Sequence, residues 1–326
     1  MEILLSCLLL IAGFAALIKG ADWFVEGSSG LAANFRVPSV IIGLTIVAMG
    51  TSAPELAVST SAALAGSNEI ALSNVVGSNI FNLLGVLGIC ALIHPIPIDN
   101  TIMKRDFPVT VGISLLTLLA AGLGFVLSGN FAGKGMLDNV GEVSRIYGII
   151  LLVMFAAYIV MLIMQAKKEK SPENGSGASA PIGECIMLII VGLVCIVAGG
   201  HFVVDSAEKI AAAAGMSETL IGLTIVAVGT SLPELVTSIV ASRKGENGLA
   251  VGNAIGSNIF NILLILGFSS AIHPIAVNLA SLLDLAILIV VSIITFLFAK
   301  SGKLGRTAGA VMVGLYIADV IFAILR

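Results

Sequence analysis

The sequence predicts an all-α membrane protein in which ten transmembrane helices form two inverted five-helix repeats. Composition is the first observation behind this prediction, because 58% of the 326 residues are hydrophobic and only 11% are charged. A soluble globular protein has about 25% charged residues. With a mean hydropathy of +1.12, the chain has too little polar surface to cover a water-soluble particle. The other two observations are a series of apolar segments and an internal duplication.

The apolar segments are each close to, or longer than, the roughly 20 residues that a helix needs to cross a bilayer. In chain order they are 3–33, 39–65, 69–93, 107–127, 146–165, 183–213, 218–242, 248–272, 282–299 and 306–325. The stretch QAKKEKSPENGSGASAPI follows the fifth segment, and its Gly, Ser, Pro and charged residues are typical of a linker. We therefore predict a first five-helix repeat at 1–165, a cytoplasmic linker at 166–182 and a second five-helix repeat at 183–326.

An internal duplication relates the two halves. Residues 43–61, GLTIVAMGTSAPELAVSTS, match 222–240, GLTIVAVGTSLPELVTSIV, at thirteen of nineteen positions. Residues 70–94, which contain GSNIFN, match 249–273 at the same offset along the chain, with no gap between the two blocks. Because each half has five spans, an odd number, the second half enters the membrane in the opposite orientation. Such inverted repeats are typical of secondary transporters, whose sites lie near the bilayer midplane at the repeat interface.

Two glutamates, Glu55 and Glu234, occupy matching positions in the middle of a span. A carboxylate at the bilayer centre costs roughly 2.5–3.5 kcal/mol on the insertion scale. Neither motif contains a Lys or Arg that could balance the charge. The missing positive charge is predicted to be a bound cation; the alternative is a pair of protonated structural acids.

Hydroxyl side chains precede each glutamate. Thr51 and Ser52 lie four and three residues before Glu55, so both share a helix face with it, and Thr230 and Ser231 repeat the arrangement in the second half. Hydroxyl and carboxylate oxygens are hard ligands suited to Na⁺ or Ca²⁺. Each hydroxyl could instead donate to the carbonyl four residues earlier.

Prolines predict a helix break beside each glutamate. Pro54 and Pro233 each remove one helical N–H and clash with the carbonyl four residues earlier. Non-helical backbone is tolerated at membrane depth only where it is buried in protein or lines a watery cavity. The carbonyls expected to be freed are those of Ala48, Met49, Ala227 and Val228.

The second motif, GSNIFN, places a serine and an asparagine four residues apart on one helix face. The two pairs are Ser78 with Asn82 and Ser257 with Asn261. Asn79 and Asn258 lie about 100° round the helix from the serines and rank lower as ligands. These side chains either bind the cation or hydrogen-bond between helices.

Charge limits what the site could carry. Two ionised glutamates carry a charge of −2, which one Ca²⁺ or two Na⁺ would neutralise, and Ca²⁺ takes about 6–8 oxygen ligands. The two motifs offer more oxygens than one ion needs. A site with spare ligands could alternate between one divalent ion and several monovalent ions, as an antiporter requires.

At these motifs the chain resembles a known family. GTSAPE with GSNIFN, and GTSLPE with GSNIFN, are similar to the two signature repeats of the cation/Ca²⁺ exchanger superfamily, specifically its Na⁺/Ca²⁺ exchanger branch of prokaryotic type. The resemblance covers nearly the whole chain. It implies Na⁺-driven Ca²⁺ transport by alternating access, in the plasma (inner) membrane of a prokaryote.

The resemblance also implies a ligand set and a set of partners. The ion ligands would be Glu55, Glu234, Thr51, Thr230, Ser52, Ser231, Ser78, Ser257, Asn82 and Asn261, with the carbonyls of Ala48 and Ala227. The expected partners are the lipid bilayer and the transported Ca²⁺ and Na⁺, with no enzyme activity, prosthetic group, nucleic acid or protein partner implied. In two respects the chain departs from its relatives. Several have Asp at the position of Asn261, and animal exchangers carry regulatory Ca²⁺-binding domains for which this linker is too short.

Three other functions fit parts of the pattern less well. H⁺/Ca²⁺ antiporters of the same superfamily carry a motif that resembles GNxxE, rather than the GTSxPE of this chain. A membrane protease normally uses two Asp sharing one proton, whereas here two Glu stand among Ser, Thr and Asn. A passive channel is disfavoured by inverted repeats with broken helices, which are typical of transporters.

Basic residues predict that both termini face outside, because Lys and Arg are enriched in cytoplasmic loops. In this orientation eleven basic residues are inside, four are outside, and Lys19 lies within the first span. The inside residues are Arg36, Lys104, Arg105, Lys167, Lys168, Lys170, Arg243, Lys244, Lys300, Lys303 and Arg306. The outside residues are Lys134, Arg145, Lys209 and Arg326.

This orientation is tested by labelling a single cysteine in the linker. Ser176→Cys, in a background without the four native cysteines, is expected to react with an impermeant thiol reagent only from the cytoplasmic side. The measurement compares intact cells with inside-out vesicles. Labelling in intact cells would reverse the orientation.

Overall fold

A computed structural model of the chain describes residues 2–65, 68–128, 135–168, 180–216 and 227–325, and their regular structure is almost entirely helical. The α-helices are α1 (Glu2–Phe35), α2 (Ser39–Ile42), α3 (Ala48–Thr51), α4 (Ala53–Leu64), α5 (Asn68–Ile80), α6 (Leu87–Ile93), α7 (Phe107–Ser128), α8 (Arg145–Lys168), α9 (Ile182–Ala213), α10 (Ala227–Gly229), α11 (Leu232–Arg243), α12 (Asn247–Phe260), α13 (Gly267–Ile272), α14 (Leu279–Ala299) and α15 (Arg306–Leu325). In the described part of the chain, π-helical segments continue these helices at Gly43–Val47, Phe81–Val86, Ile102–Asp106 and Asn261–Leu266. The strands are β1 (Ile96–Pro97), β2 (Asn139–Val143), β3 (Ile275–Asn278) and β4 (Lys303–Leu304).

The described residues contain eight helices that are long and apolar enough to cross a membrane. A ninth candidate is the bent pair Ser39–Thr51 and Ala53–Leu64, whose axes meet at 49°. The chain is therefore an all-helical membrane protein with eight or nine candidate spans in its described part. The predicted segment 218–242 lies partly outside the described residues, as does much of the linker, including Ser176. The count of ten spans and the repeat boundaries stay predictions.

Short strands are a feature that the all-α prediction did not include. β1 pairs with β4, and β2 pairs with β3, both antiparallel. The strands β1 and β3 follow helices that end at Ile93 and Ile272; the next residues, His94 and His273, are extended, with φ −147° and −142°. Each histidine precedes a proline, which disfavours helical geometry at the residue before it. The chain is thus extended as it leaves the helix, and it can pair with a neighbouring connection.

Contacts between helices recur in the two halves. A Cβ on Gly309 would lie 2.6 Å from the Gly88 carbonyl oxygen, and one on Gly148 would lie 2.7 Å from the Gly267 carbonyl oxygen. Gly88 and Gly267 occupy matching positions of the duplicated blocks 70–94 and 249–273. Each half thus contributes a helix whose glycine packs against the last helix of the other half.

An extended contact joins α1 and α9 through small residues. A Cβ on Gly20 would lie 2.8 Å from the Gly192 carbonyl oxygen, and one on Gly192 would lie 2.6 Å from the Phe24 amide nitrogen. Gly13 meets Gly199 in the same way. Small residues let two membrane helices bring their backbones together, where van der Waals packing holds them.

The two helices that carry GSNIFN form the centre of the molecule. In the span Asn247–Ile272, 94% of an apolar 18-residue stretch is buried inside the protein, and in Ile70–Ile93 the share is 78%. The corresponding value for the peripheral helix Arg306–Leu325 is 11%. The polar residues of the motif are therefore shielded from lipid by the surrounding helices.

Filling the α1–α9 contact should destabilise the protein. Gly20→Val inserts three carbons where backbone atoms already touch, and overpacking of this kind typically costs about 1–3 kcal/mol. We expect a lower thermal unfolding midpoint in detergent. The matched control is Gly314→Val, because a Cβ at Gly314 meets no atom within 4 Å. Equal midpoints for the two variants would contradict the close contact.

Candidate ion-binding site

Both glutamates stand just after a break in their helix, as the prolines predict. α3 ends at Thr51, Ser52 has φ −82° and ψ 10°, and Glu55 lies in the first turn of α4. In the second half Ser231 has φ −95° and ψ 8°, and Glu234 lies in the first turn of α11. Unpaired amides and the helix dipole make a helix N-terminus favourable for negative charge. The break thus places each carboxylate where the backbone stabilises it.

The breaks do not free all of the backbone carbonyls that we expected. The Ala48 carbonyl accepts a hydrogen bond from the Ser52 amide at 3.0 Å, and the Val228 carbonyl accepts one from the Ser231 amide at 3.1 Å. The prediction is wrong for these two carbonyls, because the last turn before each break still closes its hydrogen bonds. A carbonyl oxygen has a second lone pair, so Ala48 keeps the capacity to bind an ion. Ala227 begins α10, and the role of its carbonyl stays a prediction.

The serines beside the breaks contact the carboxylate of the opposite half. Ser52 Oγ donates to Glu234 Oε1 at 2.8 Å, and Ser231 Oγ donates to Glu55 Oε1 at 2.9 Å. The predicted shared face of Ser52 and Glu55 on one helix is therefore wrong. The helix ends at Ser52, so the i, i+3 relation of a continuous helix does not apply. All four residues are 0% exposed.

The GSNIFN serines complete the surroundings of each carboxylate. Ser78 Oγ lies 3.4 Å from Glu55 Oε1, and Ser257 Oγ lies 3.5 Å from Glu234 Oε1. Ser231 Oγ also lies 3.1 Å from Ser78 Oγ. Each carboxylate is therefore bordered by one serine of its own half and one of the other half, and the structure brings Glu55, Glu234, Ser52, Ser231, Ser78 and Ser257 into one cluster.

Within the described residues, several buried oxygens in and beside this cluster have no hydrogen-bond partner. They are Glu55 Oε2, Glu234 Oε2, Asn82 Oδ1, Asn258 Oδ1, Asn261 Oδ1 and Thr230 Oγ1. In the described part of the chain, neither carboxylate forms an ion pair with a Lys, Arg or His. Buried polar groups are normally paired, and an unpaired buried charge is costly. Hard oxygens without donors suit a cation such as Na⁺ or Ca²⁺.

Asparagines of GSNIFN hold the two central helices together. Asn79 Nδ2 donates to the Asn258 carbonyl at 3.1 Å, and Asn258 Nδ2 donates to the Asn79 carbonyl at the same distance. Asn261 Nδ2 donates to Asn79 Oδ1 at 3.0 Å. Asn79 Oδ1 is occupied by Asn261, whereas Asn258 Oδ1 is buried without a hydrogen-bond partner among the described residues, so the lower rank of Asn258 stays a prediction. Asn261 is held through its nitrogen, which leaves its oxygen available.

Two asparagines that the sequence analysis missed support the site. Asn253 Oδ1 accepts from Thr51 Oγ1 at 2.9 Å, and Asn253 Nδ2 lies 3.2 Å from the Glu234 carbonyl. Asn74 Nδ2 lies 3.3 Å from the Glu55 carbonyl. A signal was present, because Asn74 and Asn253 are polar residues at matching positions of the duplicated block. Thr51 Oγ1 thus lies beside Asn253 and 3.1 Å from the Val47 carbonyl, the bond to the carbonyl four residues earlier that was the alternative for this hydroxyl, rather than beside its own glutamate.

The fold and the cluster define a polytopic helical membrane protein with two buried carboxylates between its duplicated segments. Comparison with known proteins gives the family. The chain belongs to the sodium/calcium exchanger protein family, whose model matches residues 5–164 and 185–325.

Similar proteins align with nearly the whole length of the chain. The sodium/calcium exchanger MaX1 of Methanosarcina acetivorans is 32% identical over 351 residues, which cover 98% of each chain. The inner membrane protein YrbG of Escherichia coli is 35% identical over 328 residues, which cover 96% of this chain and 95% of that one. Among solved structures, the sodium-calcium exchanger NCX_Mj soaked with Na⁺ and Sr²⁺ matches with a TM-score of 0.81 and 32% identity, over 98% of this chain and 99% of that one.

Proposed function

We propose that the protein is a secondary active antiporter that exchanges Na⁺ for Ca²⁺ across a prokaryotic plasma membrane. Glu55 and Glu234 hold the cations at the middle of the membrane. The observation that carries the proposal is the pair of fully buried carboxylates, each with one oxygen unpaired and no basic partner in the described residues. Relatives named sodium/calcium exchangers support the choice of ions.

The cluster is suited to two alternative loads. One Ca²⁺ balances the charge of both carboxylates, and Ca²⁺ accepts about 6–8 oxygens in flexible geometry. Two Na⁺ balance the same charge with fewer ligands each. The serine hydroxyls, the Asn82 and Asn261 oxygens, the threonines and the Ala48 and Ala227 carbonyls supply neutral oxygens for either load. Because the two loads compete for the same two charges, binding one ion favours release of the other.

Alternating access follows from the proposed arrangement of ten spans as two inverted five-helix repeats. The support is the recurrence of helix contacts in the two halves, in the glycine pairs Gly88–Gly309 and Gly148–Gly267. The strand pairs β1–β4 and β2–β3 likewise join a connection of one half to a connection of the other. In inverted repeats one half rocks or gates against the other around a fixed site. Both termini then lie outside, with the linker in the cytoplasm.

Removing either carboxylate charge should abolish transport. Glu55→Gln or Glu234→Gln keeps the side-chain shape but leaves a single negative charge, which neither Ca²⁺ nor two Na⁺ can match. We expect no Na⁺-gradient-driven Ca²⁺ uptake into vesicles that contain equal amounts of protein. The control is Glu142→Gln, at an exposed position of β2, which should transport normally. Near-normal uptake by either site variant would contradict the assignment of that glutamate as a cation ligand.

Exchange should need Na⁺ but no K⁺. Asn261 offers a carbonyl oxygen without charge, so the site holds only the two glutamate charges, and one Ca²⁺ balances them. If more than two Na⁺ are exchanged for each Ca²⁺, the Na⁺-carrying half of the transport cycle moves net positive charge across the membrane. The transport rate then responds to membrane potential. The measurement is Ca²⁺ flux in proteoliposomes at clamped potential, with and without K⁺.

Asn261→Asp provides the contrast for this measurement. The variant adds a third acid, which must either bind a proton or recruit another cation. Its flux is therefore expected to depend on K⁺ or on acidity, unlike that of the unmodified protein. A strict K⁺ requirement in the unmodified protein would defeat the idea. Equal flux driven by a proton gradient without Na⁺ would do so too, and would favour H⁺/Ca²⁺ exchange.

A further inference from the structure

The loop after α11 is fastened to α1 by two polar contacts. Lys244 Nζ lies 2.5 Å from Asp22 Oδ1 and donates to the Asp22 carbonyl at 3.0 Å. Glu246 Oε1 accepts from Ser29 Oγ at 2.5 Å. Asp22 and Ser29 are about two helical turns apart, so they lie on the same face of α1. The loop is thus held along about 10 Å of this helix.

This loop lies on the linker side of the protein, which is the side where α9 begins. Asn34 Nδ2, in the last turn of α1, donates to the Ala180 carbonyl at 2.9 Å, just before α9. A Cβ on Gly27 would lie 2.6 Å from the carbonyl oxygen of Cys185, in the first turn of α9. The second half of α1 therefore runs beside the start of α9, and the loop contacts that same half. In the proposed orientation the linker side is cytoplasmic.

α11 leads from the ion site to this loop. Glu234 lies in the first turn of the helix, which ends at Arg243, immediately before Lys244. Ala241, near the end of α11, belongs to the same buried apolar cluster as Ala21 of α1. The packing of α11 on α1 therefore lies between Glu234 and the linker side.

Two hydroxyl groups are buried at this packing without a hydrogen-bond partner among the described residues. They are Ser28 Oγ and Thr237 Oγ1, and both residues are 0% exposed. Ser28 comes four residues after Phe24, and Thr237 comes four residues before Ala241, so each shares a helix face with a member of the cluster. A buried hydroxyl without a partner is unfavourable, so packing alone does not account for these two side chains.

The duplication shows that packing does not require a hydroxyl at either position. At the offset that relates the two halves, Ala207 corresponds to Ser28 and Val58 corresponds to Thr237. The other half therefore has apolar side chains at the matching positions. The two hydroxyls are accounted for if the packing of α11 on α1 opens to water in another state of the protein.

The ion pair is likewise particular to this half of the chain. Ala65 and His201 stand at the positions that correspond to Lys244 and Asp22. Because alanine carries no charge, the matching ion pair cannot form. The fastening of the loop by opposite charges is thus a feature of the linker side.

We propose that the loop after α11 is a gate on the linker side of the ion site, and that Lys244 is the positioning residue that keeps it closed. In the described state, the ion pair of Lys244 with Asp22 holds the end of α11 on α1. In the open state this pair breaks, the two helices separate, and Ser28 and Thr237 face water between Glu234 and the linker side. The gate rests on the proposed alternating-access transport, which needs a route to each side of the membrane.

The test is the rate of thiol labelling by a small maleimide in detergent. Ser28→Cys and Thr237→Cys, each in a background without native cysteines, report whether the reagent enters the contact between α1 and α11. Lys244→Ala removes the ion pair and should speed labelling at both positions about fivefold. This factor corresponds to about 1 kcal/mol, the upper end for a partly exposed ion pair.

Exchanging the two charges separates positioning from packing. Asp22→Lys should also speed labelling, because it removes the opposite charge. The double variant Asp22→Lys with Lys244→Asp restores an ion pair, so it should return the labelling rate toward that of the unmodified protein. Lys244→Arg keeps the charge and should label slowly. Asp22→Asn breaks the pair from its other side and must speed labelling even if Lys244→Ala does not fold.

Two controls share the chemistry of the test but lie outside the gate. Arg243→Ala removes an exposed basic residue next to Lys244 and should leave the labelling rate unchanged. Thr295→Cys reports on a hydroxyl of α14 that is also 0% exposed and has no hydrogen-bond partner among the described residues. This position should stay protected in every variant.

Faster labelling of Ser28→Cys and Thr237→Cys in Lys244→Ala, reversed by the charge exchange, supports the proposal. Unchanged rates in Lys244→Ala, or no reversal, overturn it. An equal increase at Thr295→Cys also overturns it, because that result indicates a general loss of folding. Labelling needs no ion gradient, so absence of Na⁺/Ca²⁺ exchange would defeat the proposed function without changing this result.

Discussion

The burial of Glu55 and Glu234 inside the helical protein, with no basic partner among the described residues, constrains everything packed around them. An ionised carboxylate loses its hydration at this depth, and the loss costs several kcal/mol unless other charges or donors replace water. The protein offsets part of this cost with the first-turn amides of α4 and α11 and with the hydroxyls of Ser52 and Ser231. Among the described residues, the second oxygen of Glu55 and of Glu234 has no hydrogen-bond partner. In the proposed function a bound cation offsets the remaining cost, which would couple ion binding to the stability of the core.

The serine of each half donates to the glutamate of the other half, so both halves are needed to form the candidate site. Ser52 contacts Glu234 and Ser231 contacts Glu55, so neither half contains a complete set of ligands. Close packing makes this crossing possible: a Cβ on Gly252 would lie 2.7 Å from the Val40 carbonyl oxygen, which brings α12 against the start of the other motif. A relative movement of the halves changes the surroundings of both carboxylates at once, as a transporter that must bind and release its cargo requires.

Particular residues show how far sequence reasoning reached into the site. Proline beside an acidic residue predicted both helix breaks. The unbalanced charge singled out Glu55 and Glu234 as candidate cation ligands. The partners of Ser52 and Ser231 were assigned to the wrong half, because helical spacing was carried across the breaks. Asn74 and Asn253 were overlooked although the duplication marked them, since an asparagine in an apolar helix does not reveal what it contacts. The π-helical segments that contain Asn82 and Asn261 had no local signal in the sequence.

Sequence alone was enough to predict the membrane class, the eight spans and one bent pair found in the described residues, the duplication and the two buried glutamates. These features follow from hydropathy, from the length needed to cross a bilayer and from the chemistry of proline, all of which act locally along the chain. Long-range packing was needed to show which hydroxyl faces which carboxylate, which asparagine joins the two halves and where the short strands pair. Those contacts join residues far apart in the chain, such as Thr51 and Asn253. They depend on the angle of each break and on how closely glycines let the helices approach, and no local pattern encodes either quantity.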